Sequence, residues 1–217
     1  MEIANMNPLL KKVKSVHDEG KQIIKSTIND VGARAPGWIA QEVTQVYNIK
    51  KSEITPSSKN SKGKKMAGSI KVKGNNIKNF TITYTGRLLT HTHFGMTPKR
   101  PTAGNGYTLK AQVIKGEKKT LGKVKKLSAK QRAALGKNFT RSGERRSAQS
   151  PIMLMPTGNT YIPFQRRSFD RKDVWAIKTL SVPQMITSDR TNEAILKRID
   201  TETAKRLEHY LSRVAGK

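Results

Sequence analysis

Apolar positions recur along this chain with two periods, and the two periods sort it into helical and strand segments. Asn7 followed by Pro8 reads as an N-cap with proline at the first helical position. Leu9, Val13, Val16, Gly20, Ile24, Thr27 and Val31 then recur at steps of three and four, which places them on one helix face. Gly32 and Pro36 are expected to end that helix, and Pro36 to open a second one with Ile39, Val43 and Val46 turned inward. Trp38 reads as a core anchor. At the far end Ile195, Leu196, Ile199, Leu207, Tyr210, Leu211 and Val214 share a face of a helix that begins near Asn192. Glu193 stands near its start and Arg213 and Lys217 near its end, as the helix dipole favours.

Between the helices the period falls to two. Ile70 and Val72 alternate with lysines, and Phe80, Ile82 and Tyr84 with threonines. With Asn75-Asn76 as a turn, this predicts an antiparallel hairpin with one apolar and one polar face. Leu109, Ala111 and Val113 predict a third strand. Ile152 to Met155, Tyr161-Ile162 and Val174 to Ile177 read as short strands punctuated by Pro156, Gly158 and Pro163. Residues 55–68 are a loop rich in Ser, Lys, Asn and Gly. Residues 115–150 are basic and the least patterned, which predicts an extended arm or mobile insertion with room for a short helix at 128–135. The expected fold class is α+β: N-terminal helices and a C-terminal helix around a mostly antiparallel sheet, with a long basic arm or loop. A chain of 217 residues suits one domain spanning 1–217.

Charge changes the picture more than any other property. There are 43 Lys and Arg against 15 Asp and Glu, a net of +28. Residues 1–58 carry a net of +2 and residues 147–217 a net of +5, whereas residues 59–146 hold 23 Lys and Arg against 2 Glu, a net of +21. The middle therefore reads as a surface for a polyanion, whether nucleic acid, acidic protein or a membrane face. The residues expected to make those contacts are Lys62, Lys64, Lys65, Lys118, Lys119, Lys123, Lys125, Lys126, Arg141, Arg145 and Arg146. There is no cysteine, so no disulfide framework and no thiolate site. Met1 to Leu10 lacks the apolar stretch of a signal peptide, and no apolar run approaches the ~18 residues of a bilayer span. The expectation is a soluble protein made in the cytoplasm, without a membrane partner.

Catalytic chemistry finds little to stand on. The run 59–65 has one glycine and no Ser or Thr after its lysines, so it is not a phosphate-cradling loop. His91 and His93 are two apart and would share a strand face, but two ligands do not make a metal site. Asp170 and Asp173 are the best acidic pair, and they read as surface charges. No catalytic, cofactor-binding or metal site is expected, and the chain does not read as an enzyme. Aromatic residues are 6% of the chain, and in the basic middle Tyr107 and Phe139 are the ones placed to stack. Such a surface suits phosphates irrespective of sequence. Pro183 bars a central strand, so residues 181–186 are expected at an edge or surface connection. There Val182, Pro183, Gln184, Met185 and Ile186 form a candidate assembly interface, or else seat the terminal helix on the sheet.

Four stretches carry a resemblance to a known family. They are Val46-Tyr47-Asn48-Ile49-Lys50-Lys51-Ser52-Glu53-Ile54, Leu89-Thr90-His91-Thr92-His93-Phe94-Gly95, Ala111-Gln112-Val113-Ile114-Lys115-Gly116-Glu117-Lys118-Lys119, and Pro151 to Arg167 followed by Ile177-Lys178-Thr179-Leu180-Ser181-Val182-Pro183-Gln184-Met185. In this order the chain resembles the prophage minor tail protein Z family of long-tailed phages, with Ser-Val-Pro-Gln-Met its most specific piece. It departs from the pattern at Asn48, where a glycine is more usual, and over 123–149, which is longer and more basic. The resemblance implies a structural tail-completion protein of the virion at the head-proximal end of the tail. Its implied partners are copies of itself in a ring, tail tube or tail terminator proteins, head-completion or connector proteins, and phage DNA bound non-specifically. A non-viral, sequence-independent nucleic-acid-binding protein and a DNA-processing nuclease are the alternative readings.

Overall fold

Pro36 does not end the first helix. In the computed structural model, which describes residues 17–55, 68–73, 80–101, 106–124, 152–166 and 174–215, α1 runs unbroken over His17–Val46 with Pro36 inside it. Proline removes one helical hydrogen bond, here the one to the Gly32 carbonyl, and costs about 3 kcal/mol. Val31 and Ala35 are buried before it, and Ile39, Ala40 and Val43 after it. At roughly 1.5–3 kcal/mol per buried aliphatic side chain, continuing the same face outweighs the loss. Ile23 and Ile28 join Gly20, Thr27 and Val31 on that face, while Ile24 is only half-buried. The buried Thr27 hydroxyl donates to the Ile23 carbonyl at 2.9 Å, so it needs no partner outside its helix. The expected cap at Asn7 and Pro8 and the apolar positions up to Val16 lie outside the described residues, as do the Asn75-Asn76 turn, most of the loop 55–68 and the helix at 128–135.

The described chain divides into two compact units, where length suggested one domain. Unit 1 comprises Met1–Val46, Lys50–Arg87 and Ser181–Lys217. It holds α1, the short α2 (Lys51–Ile54), the hairpin β1 (Gly68–Lys73) and β2 (Thr81–Gly86), the short α3 (Val182–Ile186), and α4 (Asn192–Ala215). The long helices run antiparallel. Arg198 near the start of α4 donates to Glu42 at 2.7 Å and to Gln41 at 2.8 Å near the end of α1, and Arg206 lies 3.4 Å from Asp30. Of the expected apolar face of α4, Ile195 and Leu207 are buried and Leu196, Ile199, Tyr210 and Leu211 half-buried, and Thr203, which was not expected, is buried with them. The hairpin is antiparallel as expected, with Ile70 opposite Tyr84 and Val72 opposite Ile82, a register centred on residue 77 and not on Asn75-Asn76.

Unit 2 comprises Tyr47–Ile49 and Leu88–Leu180. The chain as a whole is α+β as expected, but small sheets replace the expected single sheet, and the described part of unit 2 holds strands and one 3₁₀ turn. β3 (Leu88–Thr90) pairs with β9 (Lys178–Ser181), and β4 (Tyr107–Ala111) with β5 (Lys119–Val124). β6 (Ile152–Thr157), β7 (Thr160–Arg166) and β8 (Val174–Ala176) form a three-stranded antiparallel sheet in that order. Neither proline ends its strand. Pro156 lies on edge strand β6. Pro163 lies in central β7, with its carbonyl turned to Ile177 just past the end of β8. A residue's N–H and C=O point the same way in a strand, so the missing donor falls at the last rung, opposite Ile177, and costs the ladder one terminal bond. Met96, Leu109, Ala111 and Ile152 form the core, with Tyr107, Leu121, Val124, Leu154 and Ile177 packed against it.

The segment expected to dock a neighbour is instead a capped helix in the core of unit 1. Ser181 is the N-cap of α3: its hydroxyl accepts from the Gln184 N–H at 3.4 Å, and the Gln184 side chain accepts from the Ser181 N–H at 2.9 Å. Pro183 falls in the first turn, where a helix needs no N–H from it. Val182 is 2% exposed and Met185 0%, with Ile186 half-buried, so this apolar group seats the helix and offers no open patch. The Thr191 hydroxyl donates to the Met185 carbonyl and fixes the turn into α4. Changing Val182 and Met185 together to Asp should abolish the cooperative thermal transition, since it buries two carboxylates without partners. Gln184→Ala should cost about 1 kcal/mol through the lost cap and leave the fold intact. A double variant that melts like the parent would contradict this assignment.

Candidate polyanion-binding surface

Residues 115–150 are not wholly an arm: β5 pairs antiparallel with β4. Alternation concealed this strand because Leu121 and Val124, its core-packed residues, are three apart. A β-bulge resolves the mismatch. The register runs Leu109 to Gly122 and Lys110 to Thr120, which leaves Leu121 as the extra residue. Without the bulge every later side chain would change face. Gly122 is required at the bulge, since a Cβ there would lie 2.6 Å from the Ile152 side chain. Residues 125–150 lie outside the described residues.

With that register, Thr108, Lys110, Thr120 and Lys123 turn outward together, Lys110 opposite Thr120 and Lys123 opposite Thr108. The β1–β2 hairpin repeats the arrangement in unit 1. Lys71 stands opposite Thr83 and Lys73 opposite Thr81, and all four are exposed. Neither hairpin has a carboxylate in its strands. A lysine opposite a lysine would repel directly; a lysine opposite a threonine avoids this and adds a hydroxyl to the same face. Charge is also sorted between the units. The described residues of unit 1 carry fourteen Lys and Arg against ten Asp and Glu, whereas those of unit 2 carry nine against Glu117 alone.

Unit 2 also contains a cleft of about 300 Å³ lined by Thr92, Met96, Lys99, Arg100, Asn159, Thr160 and Tyr161. Backbone bonds between Thr97 and Lys110, at 2.8 and 2.9 Å, hold one wall to β4. The tight turn Gly158-Asn159 between β6 and β7 forms the other. Sequence reasoning did not single out Lys99 and Arg100. Their signal was a basic dipeptide between Pro98 and Pro101.

Of the residues expected to contact a polyanion, Lys118, Lys119 and Lys123 are described and all are exposed. Lys119 lies 3.4 Å from Glu117 in a solvated pair, which contributes little. Lys62, Lys64, Lys65, Lys125, Lys126, Arg141, Arg145 and Arg146 lie outside the described residues, as do Asp170, Asp173 and Phe139. Tyr107 packs against the core of unit 2 instead of standing out to stack. His91 and His93 are not on a strand: they belong to a 3₁₀ turn, His91–Phe94, closed by Gly95 at φ 63°. Among the described residues no group of three or more His, Cys, Asp or Glu is placed to hold a metal ion. No described helix is long and apolar enough to cross a membrane.

Parts of the four stretches that carry the family resemblance are neighbours in unit 2, whereas residues 50–54 of the first and 181–185 of the last belong to unit 1. The Asn48 N–H donates to the Val113 carbonyl at 2.9 Å and the Gln112 N–H to the Phe94 carbonyl at 3.1 Å. The Asn48 amide lies so close to Gly95 that a Cβ there would be 2.8 Å from it. β9, from the last stretch, pairs with β3, which leads into the turn at His91. No known family, curated protein or solved structure matches the chain.

His91 is 7% exposed and its Nδ1 is buried without a hydrogen-bond partner. Burial holds its pKa below the ordinary histidine value, opposed by a hydrogen bond that the ring donates to the Ile177 backbone carbonyl. Below pH ~6.5 the unfolded chain takes up a proton that the folded chain refuses, so stability should fall as pH drops from there toward the lowered value. The melting temperature of His91→Leu should lose this component of the slope between pH ~7 and the lowered pKa. Parallel pH profiles for parent and variant would contradict the burial argument.

Proposed function

We propose that the chain is a structural, non-enzymatic minor tail or tail-completion protein of a long-tailed phage, made in the host cytoplasm and carried in the virion. In this reading it acts at the head-proximal end of the tail, helps join the tail to the head connector, and helps position the DNA end. The observation that carries the electrostatic half is the pair of hairpin faces on which lysine stands opposite threonine with no strand carboxylate. Such faces present ammonium groups and hydroxyls to phosphates and no base-reading geometry, as a surface lining passing DNA requires. The family resemblance supports the other half. Parts of its four stretches, far apart in sequence, are hydrogen-bonded neighbours in unit 2, which is compatible with that reading.

The partners that follow are copies of itself in a ring, a tail tube or terminator protein, and a head-completion or connector protein. A ring multiplies the basic surface by the subunit count and closes without free ends. Since Val182 and Met185 are core residues, the subunit contact lies elsewhere. Leu88 and Trp175, 45% and 51% exposed, are the large apolar side chains that the described part of unit 2 leaves to solvent. Deleting the gene should leave finished tails and DNA-filled heads that accumulate separately, visible in negative-stain images of the lysate. Joined, infectious particles at the parental yield would refute the role. RNA co-purifying with the chain, and none of it sedimenting with tails, would favour a non-viral nucleic-acid-binding protein.

A further inference from the structure

Exposed lysines suffice for contact along a phosphate backbone and need no concavity. The cleft of about 300 Å³ in unit 2 is therefore a separate feature. Lys99 and Arg100 stand exposed at its edge, and Asn159 and the half-buried Tyr161 stand on the opposite wall. Among the described residues none of these four side chains has an intramolecular hydrogen-bond or ion-pair partner, so their donors remain available to a ligand. Among the described residues no carboxylate lines the cleft. Its size is some ten times the ~30 Å³ share of one water, more than a phosphate group fills. The remainder is bounded by a ring, Tyr161, and by the buried thioether of Met96, which is 2% exposed. Both walls are held by backbone pairing within the same unit, so the concavity exists before a ligand arrives and the exposed Lys99 and Arg100 side chains can close onto it.

We propose that this cleft binds one nucleotide unit, its phosphate on Lys99, Arg100 and the Asn159 amide and its base against Tyr161 and Met96. Arginine supplies a planar fork for the phosphate oxygens and lysine a point charge. A flat aromatic beside an apolar thioether accepts any base, because each base has a π-face. The choice of occupant rests on the reading of unit 2 as facing nucleic acid; the cleft and its free donors do not.

Titration calorimetry of the full chain tests this with thymidine 5′-monophosphate, thymidine, inorganic phosphate and a short oligothymidylate. Saturable binding of the monophosphate is expected, at least tenfold tighter than either thymidine or inorganic phosphate. Lys99→Ala with Arg100→Ala should remove it at an unchanged melting temperature, since both residues are exposed. Tyr161→Leu should weaken the nucleotide about tenfold and leave inorganic phosphate as it was. Oligothymidylate tighter than the monophosphate assigns the unit to a strand, and equal affinities assign it to a free nucleotide; both agree with the proposal. No saturable binding, equal affinity for inorganic phosphate, or indifference to the Lys99 and Arg100 changes would overturn it. Loss of this site alone, with duplex DNA still bound, would leave the proposed function standing. Nucleotide bound without duplex would remove the electrostatic half of that function and keep the cleft.

Discussion

Self-repulsion among 43 lysines and arginines is the constraint around which the rest of the structure is arranged. Two unit charges 10 Å apart in water repel by about 0.4 kcal/mol, and salt screens them beyond ~8 Å. Spread over an exposed surface, the excess is tolerable; gathered at a core or set strand against strand, it is not. Unit 1 meets the constraint with near balance. Its long helices are tied by Arg198 to Glu42 and by Arg206 to Asp30, and its apolar stripe contains no charge. Unit 2 meets it by register. The bulge at Leu121 turns Lys123 outward opposite Thr108 and lets Leu121 and Val124 reach the core.

That arrangement links folding to the proposed function through a single structural choice. A strand face that keeps its lysines apart by setting threonines across from them is also a face rich in hydroxyl donors. Both properties suit a phosphate lattice, and neither distinguishes one base from another. The cleft beside Lys99 and Arg100 belongs to a different level of organisation. It is built from segments far apart in sequence, and it offers directional donors where the hairpin faces offer charge density.

How much of this was legible in the sequence follows from how local each determinant is. The terminal helix, its start at Asn192 and the antiparallel pairing of the 68–86 hairpin were readable because period, cap and alternation are local properties, while the hairpin's register was not. The helix through Pro36 was not, because the penalty is local while the burial that outweighs it comes from packing along the whole of α1. β5 was hidden by its bulge, which breaks the period-two signal at the point where the strand needs it. Ser181-Val182-Pro183-Gln184 does spell out a capping box, but a proline after a strand-like run signals a strand break as readily as a first helical turn. The cleft has no local signature. Lys99 and Asn159 are sixty residues apart, and only the folded unit brings their walls together.

The central claim is that the charge excess faces phosphates without reading bases, and duplex affinity as a function of salt tests it most directly. The measurement uses two duplexes of equal length and unrelated sequence, for the parent and for a variant with Lys71, Lys73, Lys110 and Lys123 changed to Ala. The account predicts indistinguishable affinities for the two duplexes and roughly a thousandfold loss between 50 and 200 mM salt if ~6 phosphates are contacted. In the variant the log–log slope should be shallower by ~0.9 per lysine that contacts a phosphate. A flat salt response, a strong preference for one duplex, or an unchanged slope in the variant would contradict it.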